Sequence, residues 1–355
     1  LGFPSLVQIK FWQQDLKLAH FWKIARSGDM GGISHFPVAI LRLTDNDGTT
    51  GLGESAPSSR YHEDVPGGLK FLAQMDARRL SFDHLDASMS YVENLAPGQF
   101  AAKSALNIAL LDGAAHKARQ PLHDFLGLSF QENHHVTSFS IGIDKPEIIR
   151  KKVLAAESYP VLKLKVGARD DKSNLAALRD AAPNKPVRVD ANEGWKTKER
   201  ALEKIEWLAA DGHIQFVEQP MPATTPPADL AWLKSRSPLP IFADESYLSA
   251  ADAALCADCF HGVNVKLCKT GGVTRGLAAL QAARKAGLKT MIGCMIETSI
   301  HISAAAQLAA QADYLDLDGN LLITNDPYLG VSATNGKLSF ADAPEKFGLR
   351  VNART

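Results

Sequence analysis

The stretch VLKLKVGARDDKSNLAALRDAAPNKPVRVD, residues 161–190, decides the fold. A short apolar run, VLKLKV (161–166), is followed by SNLAALRDAA (173–182), whose apolar residues recur at helical spacing, and then by PVRVD (186–190). Strand, amphipathic helix, strand is the pattern of a parallel pair joined by a helical crossover. The unit repeats outward in both directions. Upstream lies VTSFSIGI (136–143); downstream come IQFVE (214–218), LPIFAD (239–244), GVNVKL (262–267), LKTMIGCM (288–295) and DYLDLD (313–318). Helical stretches such as KERALEKIEWLAADG (198–212) and TRGLAALQAARKAG (274–287) separate them. Eight such units with nearly continuous apolar strands predict an α/β fold, a parallel sheet covered by helices and closed into a compact (β/α)8-type barrel over residues 129–322. An open doubly wound sheet is the rival, but its Gly-rich fingerprint after the first strand is missing.

The flanks read differently. Residues 5–14 and 36–55 are expected to form antiparallel strands joined by the Gly-rich loop RSGDMGGISHFP (26–37), with a long helix in QFAAKSALNIALLDGAAHKARQ (99–120). This predicts an α+β domain over 1–128, ending near FLGLS (125–129). Beyond the eighth strand, NDPYLGVSATNGKLSF (325–340) is rich in turn residues, and the segment 323–355 is expected to return to the first domain.

Composition excludes several classes. The 355 residues are 45% hydrophobic and 22% charged, the mixture of a globular protein. Thirty-nine basic residues balance thirty-nine acidic ones, so no overall field draws in nucleic acid or an anionic membrane. No run approaches the roughly 18 apolar residues of a membrane span. The opening LGFPSLVQIKFWQQDLK (1–17) lacks a signal-peptide layout, although a chain beginning with Leu leaves a removed leader open. Four cysteines, Cys256, Cys259, Cys268 and Cys294, are too few and clustered for a disulfide framework. They point to buried thiols in a reducing, cytoplasmic compartment.

The charged residues at the strand ends carry the chemistry. Active sites of such barrels lie at the C-terminal ends of the strands. Those positions hold Lys163 and Lys165 on the second strand, Asp190 on the third, Glu218 on the fourth, Asp244 on the fifth, Lys266 on the sixth, and Asp316 and Asp318 on the eighth. From Lys165 to Lys266 the spacings are 25, 28, 26 and 22 residues, one βα unit each, so all five face one mouth. Three carboxylates with no Cys or His nearby are hard ligands suited to one Mg²⁺. Burial and a metal's charge favour a neutral lysine, lowering it from its ordinary pKa of about 10.4 into the range of a general base. Lysines on strands two and six stand on opposite sides of the barrel axis, which suits removal of a proton from one face of a carbon and delivery to the other. Lys163 is expected to point inward beside Lys165, adding positive charge for a substrate carboxylate or depressing its neighbour's pKa. Lys269 reads as a structural or rim lysine, and Gly271–Gly272 as a turn or a phosphate cradle.

LKLKVG (162–167), RVDANEGW (188–195), FVEQPM (216–221), FADES (242–246) and NVKLCKTGG (264–272) together resemble the enolase superfamily, in its muconate-lactonising-enzyme subgroup. The resemblance covers essentially the whole chain, and the α+β segment resembles the family's capping domain, completed by the C-terminal segment. It implies metal ligation by Asp190, Glu218 and Asp244, with Lys165 and Lys266 as opposed acid and base in a 1,1-proton transfer through a metal-stabilised enediolate. Within the subgroup, Asp316 and Asp318 alternate in LDLDGN, and such a pair suits the ammonium group of a free dipeptide. The pattern resembles the dipeptide epimerases, which are isomerases, and implies L-Ala-D/L-Glu or a related L-Xaa-L/D-Xaa dipeptide as the small-molecule partner. N-acylamino acid racemase and o-succinylbenzoate synthase activities of the same subgroup are the alternatives; a catalytically silent dipeptide-binding protein is a more distant one. The loop WKIARSGDMGG (22–32) has the Gly content of a mobile lid, and Arg26 resembles the arginine that grips a distal carboxylate in Ala-Glu epimerases. Ser140 and Cys294 fall where the epimerases contact substrate, and Glu297 could reach the amine end. The sequence leaves a homo-oligomer open.

Overall fold

In the computed structural model, which describes residues 7–354, the chain opens with an antiparallel sheet of β1 (Gln8–Trp22), β2 (Ile33–Thr44) and β3 (Thr50–Ser55). The strand expected from residue 5 begins, as far as it is described, at Gln8, and residues 5 and 6 lie outside the described residues. β1 runs on to Trp22 because polar and apolar residues keep alternating along it, with Leu16 and Leu18 buried. The expected 36–55 strand is two strands, since Asp45 and Thr49 close a turn through DNDG. Helices α1 (Val65–Leu72), α2 (Leu85–Leu95), α3 (Phe100–Ala118) and α4 (Leu122–Phe125) follow. α3 is buried along most of its length, and β3 presses so close that a Cβ on Gly51 or Gly53 would meet its backbone at 2.0 Å.

Eight parallel strands then alternate with helices. They are β4 (Phe139–Ile141), β5 (Leu162–Lys165), β6 (Val187–Asp190), β7 (Ile214–Glu218), β8 (Ile241–Ala243), β9 (Gly262–Lys266), β10 (Lys289–Gly293) and β11 (Tyr314–Asp316), paired in sequence order. The parallel bridge Thr137–Leu315 joins the first to the last and closes the ring. Its outer helices are α5 (Pro146–Ala155), α6 (Asp171–Ala181), α7 (Lys198–Ala209), α8 (Pro227–Arg236), α9 (Ala253–Cys259), the short α10 (Leu267–Thr270) with α11 (Val273–Lys285), and α12 (Ser299–Ala306). The eighth strand is followed by a single 3₁₀ turn, Gly319–Leu321, rather than a helix. The strands carry Val, Ile and Leu buried from both sides, as a covered parallel sheet requires. Phe216, Phe242 and Met291 form a separate apolar cluster inside the barrel, with Phe216 and Phe242 stacked at 4.1 Å.

The last segment holds two small antiparallel pairs, β12 (Tyr328–Leu329) with β15 (Asn352–Ala353) and β13 (Ser332–Thr334) with β14 (Lys337–Ser339). Among its contacts with the N-terminal elements, the Thr324 N–H donates to the Lys17 carbonyl at 2.8 Å, and the Leu349 N–H donates to Asp112 on α3 at 2.7 Å. The four cysteines are free, three buried and Cys294 half-buried. No helix among the described residues is long and apolar enough to cross a membrane.

Candidate active site

Strand register sets the level of the site. Lys165, Asp190 and Glu218 are successive Cα partners across β5, β6 and β7; Lys266, Gly293 and Asp316 are the same across β9, β10 and β11. Asp244 follows directly on β8. With β5 and β9 four places apart in a ring of eight, Lys165 and Lys266 face each other across the mouth. Gly293 between Lys266 and Asp316 has to be bare, because a Cβ there would come within 2.6 Å of Asn264, which donates to Glu218 Oε1 at 2.8 Å.

Asp190, Glu218 and Asp244 are buried, and one carboxylate oxygen from each lies within 4.8 Å of the others. Lysines ring them. Lys165 Nζ donates to Asp190 Oδ2 at 2.6 Å, and Lys266 Nζ to Asp244 Oδ2 at 2.7 Å. Lys269, read from sequence as a structural or rim lysine, is buried, and its ammonium holds the Asp244 carboxylate and carbonyl. Burial opposes ionisation of Asp190, but Lys165 and Lys163 outweigh it and hold the pKa at about 2; Lys266 and Lys269 likewise hold Asp244 well below its ordinary value. Glu218 moves the other way, pushed up to about 7 by burial and by the neighbouring Asp190 charge. Three crowded hard oxygens fit a divalent cation, whose charge relieves that repulsion. Burial lowers Lys266 but Asp244 dominates, so its pKa stands well above the ordinary value. The cause is the Asp244 carboxylate 2.7 Å away, whereas the lowering expected from sequence rests on a metal's charge beside the lysine as well as on burial.

A cavity of roughly 180 Å³ opens over these groups, lined by Ser140, Lys165, Lys266, Cys294, Asp316 and Asp318 from the barrel and by Trp22, Ile24 and Arg26 from the N-terminal sheet and its loop. Asp316 closes β11, while Asp318 lies beyond the strand, at the start of the 3₁₀ turn, and still reaches the same cavity. Asp316 accepts from Ser138 Oγ at 2.7 Å and from Lys163 Nζ at 2.6 Å. Asp318 accepts from the Ser140 N–H at 2.6 Å. Burial opposes Asp316 ionisation, yet Lys163 and Lys165 hold its pKa down; burial and the Asp316 charge push Asp318 up to about 7.

Other expected residues are placed less directly. Lys163 is fully buried beneath the cavity instead of lining it, with Glu218 at 2.7 Å and Asp190 at 3.4 Å besides Asp316. Burial opposes its charge, but the three carboxylates hold its pKa well above the ordinary value. Arg26 lines the cavity with its guanidinium paired to Glu245 and 3.4 Å from Glu193. Cys294 Sγ donates to the Asp316 carbonyl at 3.2 Å. Glu297 is not among the residues lining the cavity; it is buried 3.5 Å from His301, and burial and Glu54 push it up to about 8. Gly271 and Gly272 make a turn between α10 and α11, with Gly272 packed on Asn107 so closely that a Cβ would lie 2.6 Å from the side chain.

This geometry can be set beside known proteins. Residues 25–127 match the mandelate racemase / muconate lactonizing enzyme N-terminal domain, and residues 149–349 match the enolase C-terminal domain-like family. The chain belongs to the mandelate racemase / muconate lactonizing enzyme family. It is 70% identical, over 98% of its length and all of the relative's, to the L-Ala-D/L-amino acid epimerase of Pedosphaera parvula. It is 36% identical to the L-Ala-D/L-Glu epimerase of Bacteroides thetaiotaomicron, over 97% of this chain and 88% of that one. Among solved structures, the dipeptide epimerase of Enterococcus faecalis complexed with Mg and L-Leu-L-Tyr superposes with a TM-score of 0.88 at 30% identity, covering 98% of this chain and 99% of that one.

In this member of the mandelate racemase / muconate lactonizing enzyme family, several residues that the sequence reading did not single out stand at the site. Glu193 and Glu245 lie inside the quoted motifs RVDANEGW and FADES, so a signal existed. Arg60, which grips Glu193 through Nε at 2.6 Å and a terminal nitrogen at 2.7 Å, comes from a single 3₁₀ turn, Ser59–Tyr61, too short for a periodicity to mark it. Ser138 and Arg188 lie below the mouth, where strand-end counting does not look.

Proposed function

We propose that this protein is a Mg²⁺-dependent dipeptide epimerase, an isomerase that inverts the configuration of the C-terminal residue of an L-Ala-L/D-Xaa dipeptide. The observation that carries this is one cavity holding two opposed lysines, Lys165 and Lys266, together with an acidic pair, Asp316 and Asp318. Asp190, Glu218 and Asp244 would hold the metal. Once bound, Mg²⁺ supplies positive charge to the substrate carboxylate, which acidifies the adjacent α-carbon. Lys165 and Lys266 take the α-proton from one face and return one to the other. Asp316 and Asp318 receive the ammonium group, with Ser140 and Cys294 lining the wall beside them. Arg26, already paired to Glu245, closes the cavity over the C-terminal side chain. The L-alanyl preference is supported by the 70% identical relative, named for L-Ala-D/L-amino acid epimerisation. We also propose the division into a capping domain (1–128), a barrel (129–322) and a returning C-terminal segment (323–355), and a cytoplasmic location in keeping with four free thiols.

The test is proton NMR of L-Ala-L-Glu and of L-alanyl dipeptides with apolar C-terminal residues, incubated with enzyme and Mg²⁺ in D₂O. Metal-dependent loss of the C-terminal α-proton signal, with the L,D diastereomer appearing, is the expected result. No exchange with any free dipeptide, combined with exchange of N-acylamino acids, would overturn the proposal.

A further inference from the structure

Arg188 is an anomaly inside the barrel. It sits on β6 two residues before Asp190 and is only 5% exposed, yet it forms no ion pair among the described residues. Its Nε donates to Gln215 Oε1 at 3.1 Å, and one terminal nitrogen donates to the Leu315 carbonyl and to Ser138 Oγ, the latter at 3.3 Å. Tyr314 and Phe216 lie 5.1 Å and 5.7 Å from the guanidinium carbon, contacts of the cation–π kind. A buried cation without a direct counter-ion is costly, so the position calls for a use.

The hydroxyl of Ser138 supplies one. It has a single hydrogen and two acceptors in reach, the Leu315 carbonyl at 3.4 Å and Asp316 Oδ1 at 2.7 Å. Arg188 already serves that carbonyl and also donates to the hydroxyl oxygen, so the Ser138 hydrogen is directed to Asp316. The other Asp316 oxygen takes Lys163 at 2.6 Å. Asp316 is thereby held from two sides, and a charge-assisted chain, Arg188 to Ser138 to Asp316, runs from the barrel interior to the cavity wall.

We propose that Arg188, acting through Ser138, is a positioning residue that fixes the Asp316 carboxylate for recognition of the substrate's ammonium group. This rests on the dipeptide reading above. A plug that merely filled the barrel would not distinguish substrates by their amine, whereas this chain does.

The experiment compares an L-Ala-L-Xaa dipeptide with its N-propionyl-L-Xaa analogue, which has the same shape but no ammonium, as substrate and competitive inhibitor of the metal-loaded enzyme. In Ser138→Ala the dipeptide KM is expected to rise about tenfold, the scale of losing one hydrogen bond to a charged group. The kcat should stay within about threefold, with Mg²⁺ affinity and the analogue's Ki unchanged. Arg188→Met should shift KM the same way and Arg188→Lys should restore part of it; if Arg188→Met does not fold, Ser138→Ala carries the test alone. A wild type that binds dipeptide and analogue equally overturns the ammonium reading and the chain with it. A discriminating wild type whose Ser138→Ala variant discriminates equally well overturns the chain alone.

Discussion

Lys165 and Lys266 approach the cavity from strands four places apart, each anchored to a different carboxylate, Asp190 and Asp244. Neither can serve both faces of one carbon. Replacing either with Ala should lower epimerisation by at least about a hundredfold, the lower end of what a positioned acid or base contributes. Each variant should still exchange the α-proton of one diastereomer in D₂O, and the two variants should retain opposite ones. Exchange of both diastereomers by either variant would refute the two-base assignment. At this scale the sequence was informative where strand ends recur one βα unit apart, which is how Asp190, Glu218, Asp244 and the two lysines could be read. It was uninformative where a side chain's partner is remote: Lys163 sits on a strand 153 residues from its partner Asp316, and Arg26 meets Glu245 219 residues away. No periodicity encodes such pairings.

Among the elements, α3 links the N-terminal sheet to the returning C-terminal segment through one side chain. Asp112 accepts the Leu52 N–H of β3 at 2.8 Å and the Leu349 N–H at 2.7 Å, with His116 one turn on at 3.2 Å. Gly348 is required beside it, with φ of 57° and room so tight that a Cβ would fall 2.1 Å from Asp112 Oδ1. Asp112→Ala would orphan two backbone donors at about 1–3 kcal/mol each, so a fall of several degrees in melting temperature is expected; an unchanged melting temperature would count against this joint. Burial lowers the His116 pKa, but the hydrogen bond and charge of Asp112 outweigh it and raise the value to about 9. A raised folded value means the imidazolium contributes fully below its unfolded pKa of about 6.5 and loses that contribution as pH rises through about 9. The melting-temperature difference between wild type and His116→Gln should therefore shrink between pH 6.5 and pH 9; a constant difference would sink the assignment. The elements themselves were legible to within a few residues, because buried parallel strands demand β-branched runs and their covering helices demand apolar stripes. The exceptions are β1, longer than expected, the 36–55 stretch, which a turn divides into β2 and β3, and the eighth unit, where turn residues replace a helix.

At the scale of the whole molecule, the cavity belongs to two bodies of chain, since Trp22, Ile24 and Arg26 come from one and Lys165, Lys266, Asp316 and Asp318 from the other. Its shape depends on how firmly they are joined. Glu54 on β3 accepts the Thr298 N–H at 2.9 Å and its hydroxyl at 2.6 Å, at the start of α12, and Asn107 on α3 donates to Thr274 of α11 at 2.8 Å. Nearest the cavity, Arg60 holds Glu193 at 2.6 Å and 2.7 Å, and Glu193 also accepts the Ala223 N–H at 2.8 Å. Burial opposes ionisation of Glu193, but Arg60 and the Ala223 N–H keep its pKa below the usual carboxylate range, so the pair is charged at neutral pH. None of these groups lines the cavity beside the lysines except through Arg26, which lies 3.4 Å from the same carboxylate. Weakening the seam should therefore loosen substrate binding more than it slows proton transfer. Glu193→Gln and Arg60→Ala are each expected to raise the dipeptide KM about five- to tenfold with kcat within about threefold. Because the two side chains act as one contact, the double variant should be little worse than either single, a coupling of about 1 kcal/mol or more. Fully additive effects would show that the two residues act separately, and a fall in kcat at unchanged KM would show that the seam governs the chemistry rather than the cavity.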